Sequence, residues 1–507
     1  EPDRVPPILD VGDIGQPIRH GIEHMESLFD DYEADEEAEY GETHAAPPPS
    51  QRKQPYRRQG LRYERPALQR CRVVPIGLRK IQTGGQDPTH NEDRGDESHH
   101  LARNTPQLEG VPSKVEAWVD GHLRNLDRVG GMATRPAQLW STAMDITVPD
   151  YAGGSLVNLI AELEYRLTGS ARSTRLHPEL AEHIPRADTY VLCLFDGLGA
   201  GQLNHPAAGP LRRTLRATID CPFPATTTVS LATLATGLPP SQHGLLGYQA
   251  WIPELGVVAN TLQWTTLWGD PLDYQLETVL PAPNLAERLG AAGVETITAQ
   301  PGNFLETNLT KVLFRGNRFE GIYNLQEWID ATVQLAAPSN RLIVSYLPHV
   351  DVAAHVSGQG SNEYAEALGA IAASWEAVVR RLPDNAIAIA TADHGHLDFP
   401  PHRQFKIAKE DHDGRTFYGD GRAMFVKGEG ASLAEKLPAT WVPIDDMKHW
   451  WGPGPHHPQF AERIPDGVLV ADDDALLLHR FSNSRLIGNH GALTDAERLI
   501  PLLVGGD

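Results

Sequence analysis

The stretch TYVLCLFDGLG, residues 189–199, decides the fold. Its apolar run has the length of a strand and stops at Asp-Gly, a turn signal. Upstream, LVNLIAELEYRL shows helical apolar spacing, and downstream ETITAQ, RLIVSYLP and AIAIATADHG read as further strands. Helical patterns separate them, among them PNLAERLGAAG and SNEYAEALGAIAASWEAVVRRLP. In the last, Tyr364, Leu368, Ile371, Trp375, Val378 and Leu382 fall on one stripe. Strands alternating with helices predict an α/β fold, with a mostly parallel sheet covered by helices on both faces.

Residues 1–131 differ in character, being polar, rich in proline and charge, and poor in periodic apolar residues. They are expected to be a low-complexity, largely disordered tail. Its acidic block FDDYEADEEAEYGE precedes the basic APPPSQRKQPYRRQGLRYERP. A solvated tail is the preferred reading, over a docking segment for a protein partner or upstream sequence before a start at Met132 or Met144. Within it, SKVEAWVDGHLRNL alone carries helical spacing suited to docking. The folded domain is expected over 132–507, with a small inserted subdomain at about 402–480.

A formal charge of −22 argues against a nucleic-acid duplex as partner, yet allows a small anionic substrate held through metal ions. Cys71, Cys193 and Cys221 are too few and too scattered for a disulfide framework, so a reducing, cytoplasmic setting is expected. No apolar run reaches the roughly 18 residues of a membrane span, so none is expected, and the first residues given lack the charged-then-apolar order of a secretory signal.

The chemistry gathers where strands end. Asp196 follows VLCLF, Asp351 follows IVSYLPHV, and Asp393 follows AIAIATA. Open α/β sheets collect ligands at the carboxyl ends of their strands. His355 in DVAAH, His394 in ADHGH and His490 in GNHGALT add imidazoles, and the mixture suits zinc or a similar divalent ion. Singly, such an Asp is more often a helix cap and such a His a core residue. Their shared placement gives the set its weight. Three threonines, Thr226, Thr227 and Thr228, precede the helical SLATLAT, where any one of them would serve as a cap.

In this order, FDGLG, FPATTTVSLATLATGLPPSQHG, DVAAHVSG, ADHG and GNHG resemble the alkaline phosphatase superfamily, most closely its nucleotide pyrophosphatase/phosphodiesterase branch. The resemblance spans about residues 151–504. It implies an alkaline phosphatase-like fold and two divalent ions, zinc with manganese as the alternative. One ion falls to Asp196, Asp393, His394 and the hydroxyl of Thr227, which the family's pattern makes the nucleophile. The other falls to Asp351, His355 and His490. The implied reaction is hydrolysis of a phosphodiester or pyrophosphate, of a nucleotide for instance, through a phosphothreonine. Thr226 or Thr228 would then be free to cap the helix.

Where the branch usually carries Asn to hold a phosphoryl oxygen, this chain has Ser230, with Asn260 as a substitute. A phosphomonoesterase or phosphomutase-like enzyme is therefore the nearest alternative. A scaffold with a vestigial site is another, against which the retention of all six ligand-type residues counts. A sulfatase is disfavoured, since Cys221 is followed by PFPA rather than Cys-x-Pro-x-Arg. The histidines of KHWWGPGPHHPQF are read as a packed loop, and Tyr248, Trp251 and Trp264 as either core or leaving-group pocket.

Overall fold

The structure, a computed structural model, describes residues 146–505. The polar segment 1–131, its expected docking stretch, the domain boundary expected at 131/132 and Cys71 lie outside these residues.

A seven-stranded sheet runs in the order Leu215–Asp220, Leu499–Gly505, Ala386–Thr391, Thr189–Phe195, Arg341–Leu347, Glu295–Pro301, Arg318–Ile322. The last five strands are parallel, and Leu499–Gly505 runs antiparallel to both of its neighbours. All seven residues of Thr189–Phe195 are buried, so the sheet is covered on both faces. That burial is why the segment reads as one continuous apolar run instead of alternating.

Two groups of helices pack among themselves around it: Leu156–Thr168, Thr227–Thr236 and Leu285–Ala291 in one, Leu325–Ala336, His349–Ser357 and Asn362–Arg381 in the other. Asn362–Arg381 starts where Ser361 accepts a bond from the Tyr364 N–H at 3.1 Å. Its stripe from Tyr364 to Val378 is buried, whereas Leu382 lies past the end of the helix. Trp375 meets Phe195 edge-on at 6.2 Å, which fastens this helix to the central strand. Burying a side chain of that size stabilises the fold by about 2–3 kcal/mol.

A second, antiparallel sheet has the order Ala439–Pro443, Gly467–Ala471, Ala423–Lys427, Thr416–Gly419, Gln249–Ile252, Val257–Asn260, Thr265–Thr266. The subdomain expected over about 402–480 thus supplies four of its strands, and three come from the segment after the Thr227 helix. The joint is a single pairing of Gly419 with Gln249. Phe223 packs edge-on against Trp450 at 5.2 Å and lies 5.3 Å from Trp451, which draws KHWWGPGPHHPQF onto the threonine loop as a packed segment. No helix among the described residues is long and apolar enough to cross a membrane.

Candidate active site

The threonine run opens the helix Thr227–Thr236, which ends at Gly237 in the left-handed conformation. From Cys221 to Ser241 every residue is buried except Thr227. Prolines on either side of Phe223 and the small residues of the helix let this loop sink into the fold, leaving Thr227 alone half-buried. Thr227 Oγ1 lies 3.1 Å from His394 Nε2. Neither neighbour caps the helix, contrary to expectation. Thr226 holds the cap position without a side-chain cap bond, and its hydroxyl donates to Asp420 Oδ1 at 3.3 Å. The Thr228 hydroxyl accepts from Thr261 Oγ1 at 3.1 Å.

Asp196, Asp393 and His394 form one group, with ligand atoms all within 4.8 Å of one another. The two carboxylates follow adjacent parallel strands, Thr189–Phe195 and Ala386–Thr391, which explains how residues so distant in sequence meet. Gly197, at φ +70°, turns the chain sharply after Asp196, and a Cβ there would lie 2.9 Å from Asp351 Cα. Asp393 Oδ1 accepts from the N–H of Gly197 at 3.0 Å and of His394 at 3.1 Å. Asp196 Oδ2 accepts from the Tyr346 hydroxyl. The other oxygens, Asp196 Oδ1 and Asp393 Oδ2, are buried without a hydrogen-bond donor among the described residues. Burial, together with the carboxylates of Asp393 and Asp351, pushes Asp196 well above the usual carboxylate range. Two orphaned carboxylate oxygens beside an imidazole nitrogen fit a divalent cation, which would remove the cost of burying them.

Asp351, His355 and His490 come together in a second group, and His396 joins them. Asp351 and His355 stand four residues apart on one face of His349–Ser357, the helix that follows the Arg341–Leu347 strand. His355 Nδ1 pairs with the Gly488 carbonyl and His490 Nδ1 with the Ala225 carbonyl, each at 2.7 Å. Both therefore present Nε2 as a lone pair, the arrangement that orients imidazole ligands on metals. Burial first, then the imidazoles of His394, His396 and His355, pushes His490 well below its ordinary value. A neutral ring of this kind is ready to ligate.

His396 is the residue the sequence reading missed. Its Nε2 lies 2.6 Å from Asp351 Oδ1, and its Nδ1 is buried without a partner among the described residues. The available signal was the second histidine of ADHGH, two residues beyond His394 on the same strand end. Burial pushes its ring down to about 4. For Asp351, burial works upward, but His355, His396 and His394 outweigh it and hold the carboxyl well below the usual range.

Of the expected substrate contacts, Ser230 is turned away. Its hydroxyl, 1% exposed, donates to the Asp393 carbonyl at 2.7 Å, so it braces the first group rather than offering a donor to a ligand. Its short side chain can reach only the adjacent strand end. Asn260 is partly exposed, donating to the Tyr248 hydroxyl at 3.2 Å while its Oδ1 accepts from the Leu262 N–H at 3.0 Å. It adjoins Thr261, which touches Thr228, so Asn260 borders the threonine loop. Trp264 is core, stacked on Tyr274 at 6.0 Å, whereas Tyr248 keeps part of its surface at the site's margin.

Comparison with known proteins identifies the family. The profile of the family described as type I phosphodiesterase/nucleotide pyrophosphatase matches residues 190–493, more than half of the chain. No curated protein matches it. Among solved structures, murine ectonucleotide pyrophosphatase/phosphodiesterase 5 is 18% identical over 63% of this chain and 88% of its own, with a TM-score of 0.49. An inactive form of that murine protein in complex with AMP is 18% identical over 62% and 87%, also with a TM-score of 0.49. Phosphonoacetate hydrolase from Sinorhizobium meliloti 1021, in complex with phosphonoacetate, is 15% identical over 64% and 90%, at a TM-score of 0.47. On the strength of the family match, the chain belongs to the type I phosphodiesterase/nucleotide pyrophosphatase family, the branch of the alkaline phosphatase superfamily that its motifs resemble.

Proposed function

We propose that the protein hydrolyses phosphodiester or pyrophosphate bonds, those of nucleotides among them, with Thr227 as nucleophile. The observation that carries this reading is the partial exposure of Thr227 alone within a buried loop, its Oγ1 3.1 Å from His394 in the carboxylate group. Asp196, Asp393 and His394, with Thr227, would hold one divalent ion; Asp351, His355 and His490, supported by His396, would hold the other. Zinc suits both donor sets, with manganese as the alternative. When bound, the ions supply positive charge for the reacting phosphoryl group and favour the ionised threonine.

The chain's own residues do the rest. The first turn of the Thr227–Thr236 helix presents its N–H groups, uncapped by Thr226, to a non-bridging oxygen. Thr227 Oγ bonds to phosphorus as the bond to the leaving oxygen breaks, and that oxygen departs with a proton. Water then cleaves the phosphothreonine, releasing the phosphate or phosphate monoester and restoring the hydroxyl.

Initial rates on a matched pair, 4-nitrophenyl phosphate and bis(4-nitrophenyl) phosphate, test the substrate class. The diester should react faster. A monoester rate about ten times the diester rate, a transition-state difference of roughly 1.4 kcal/mol, would make the protein a phosphomonoesterase instead.

A further inference from the structure

The helix that carries Thr227 has a threonine at its cap position that does not cap. Thr226 has the extended backbone from which a threonine hydroxyl ordinarily accepts the N–H two or three residues on, and its residue is 2% exposed. Instead the hydroxyl is drawn to Asp420, which stands 194 residues away in the chain. Asp420 is itself held on two sides. Arg422, two residues later, is fully buried and bonded to both carboxylate oxygens of Glu497 at 3.2 Å. Glu497 in turn accepts from the Ala492 N–H at 3.0 Å and the Thr494 hydroxyl at 2.7 Å, so this anchor fixes the segment that follows His490. On the other side Gly491, at φ +131°, lets the backbone pass close by: a Cβ there would lie 2.6 Å from Asp420 Cβ. Asp420 Oδ2 is buried without a close hydrogen-bond partner among the described residues, and the carboxyl is engaged by the Thr226 hydroxyl and, from the backbone, by Tyr248.

We infer that Asp420 is a positioning residue for the Thr227 centre: by engaging the Thr226 hydroxyl it keeps the N–H groups of Thr228 and Val229 open to a phosphoryl oxygen. A capping hydroxyl and a phosphoryl oxygen compete for the same donors at a helix N-terminus. Asp420 settles that competition in favour of the substrate, while Thr226 keeps the extended backbone that starts the helix. The inference rests on the reading of Thr227 as nucleophile.

The test combines kcat on bis(4-nitrophenyl) phosphate with the Kd of inorganic phosphate measured by calorimetry. Asp420→Ala frees the hydroxyl to cap, and kcat should fall about 100-fold, the lower end of the loss seen when an anion-hole donor is removed. The phosphate Kd should rise about tenfold for the same reason. Adding Thr226→Val removes the capping group and should bring both values back to within about threefold of wild type. Asp420→Asn, whose Oδ1 still accepts from Thr226, should also stay within about threefold and guards against misfolding of the alanine variant. A defect that persists in the double variant, an Asn variant as impaired as the Ala variant, or an unchanged phosphate Kd in Asp420→Ala overturns the inference. Wild-type protein that shows this pattern of phosphate affinities but turns over no ester keeps the positioning role and removes the proposed reaction. Turnover without the pattern does the reverse.

Discussion

Two clusters of ligand-type side chains meet where the rings of His394 and His490 stack at 3.6 Å, and they are made of opposite materials. Asp196 and Asp393 bring two carboxylates to the single imidazole of His394, whereas Asp351 stands among His355, His396 and His490. In the first cluster two carboxylate oxygens lack a donor; in the second the carboxylate is already bonded to His396 at 2.6 Å. Buried charge without compensation is costly, so on the proposed reading a cation would stabilise the first cluster more than the second. The second is closer to satisfied and richer in nitrogen, the donor set that favours zinc over harder ions. Thr227 reaches into the first. The proposed nucleophile and the uncompensated carboxylates therefore share one place.

The largest expected effect strikes at that asymmetry. Thr227→Ala should lower kcat by about a thousandfold or more with little change in thermal midpoint, since the nucleophile is lost and its methyl group packs little. Thr226→Ala and Thr228→Ala should cost far less. An indispensable Thr226 or Thr228 would move the nucleophile off the first cluster.

A smaller effect separates the clusters by pH in chelated protein. Asp196 is raised in the folded state, so the stability it contributes is present below its unfolded value near 4 and is lost as pH rises through the folded value. Asp196→Asn should therefore raise the thermal midpoint of metal-free protein at pH 8. His490 is depressed, so it binds protons in the unfolded chain first, and its contribution is lost as pH falls below about 6.5. His490→Asn should give no gain at pH 8 and should lessen the loss of stability between pH 6 and 5. Melting curves at the three pH values decide it, and identical behaviour of the two variants would erase the distinction.

The smallest effect concerns His396. If it orients Asp351, His396→Asn should weaken metal retention in the second cluster by about tenfold, in the range found for groups behind a metal ligand, and leave the first unchanged. Dialysis against graded chelator with elemental analysis reads this. Loss of both ions together would show that the clusters act as one.

How far the site was legible follows from the same contrast. Asp196 and Asp393 end apolar runs buried on both faces, so their strands and their position were plain in the sequence. The edge strand Leu215–Asp220 is exposed at alternate positions along its first half, and Leu499–Gly505 runs against the others, so neither shows the same signature. Asp351 and His355 were legible as the ends of the DVAAH motif after an apolar run, while the helix that puts them on one face appears only in the structure. His396 was hidden because only the path of the loop after Ala386–Thr391 brings its ring to Asp351. Ser230 looked like a substrate contact from its place three residues after Thr227, but burial points it at the Asp393 carbonyl. Nothing local in the sequence pairs Thr226 with Asp420 across the second sheet's strands.

The most direct test of Thr227 as nucleophile is acid quenching of wild-type enzyme during turnover of the 4-nitrophenyl ester of thymidine 5′-monophosphate, followed by peptide mapping. A phosphoryl group carrying the nucleoside should be found on Thr227 and be absent from Thr227→Ala. Turnover with the modification on Thr226 or Thr228, or with no covalent species at any time point while Thr227→Ala retains activity, would contradict it.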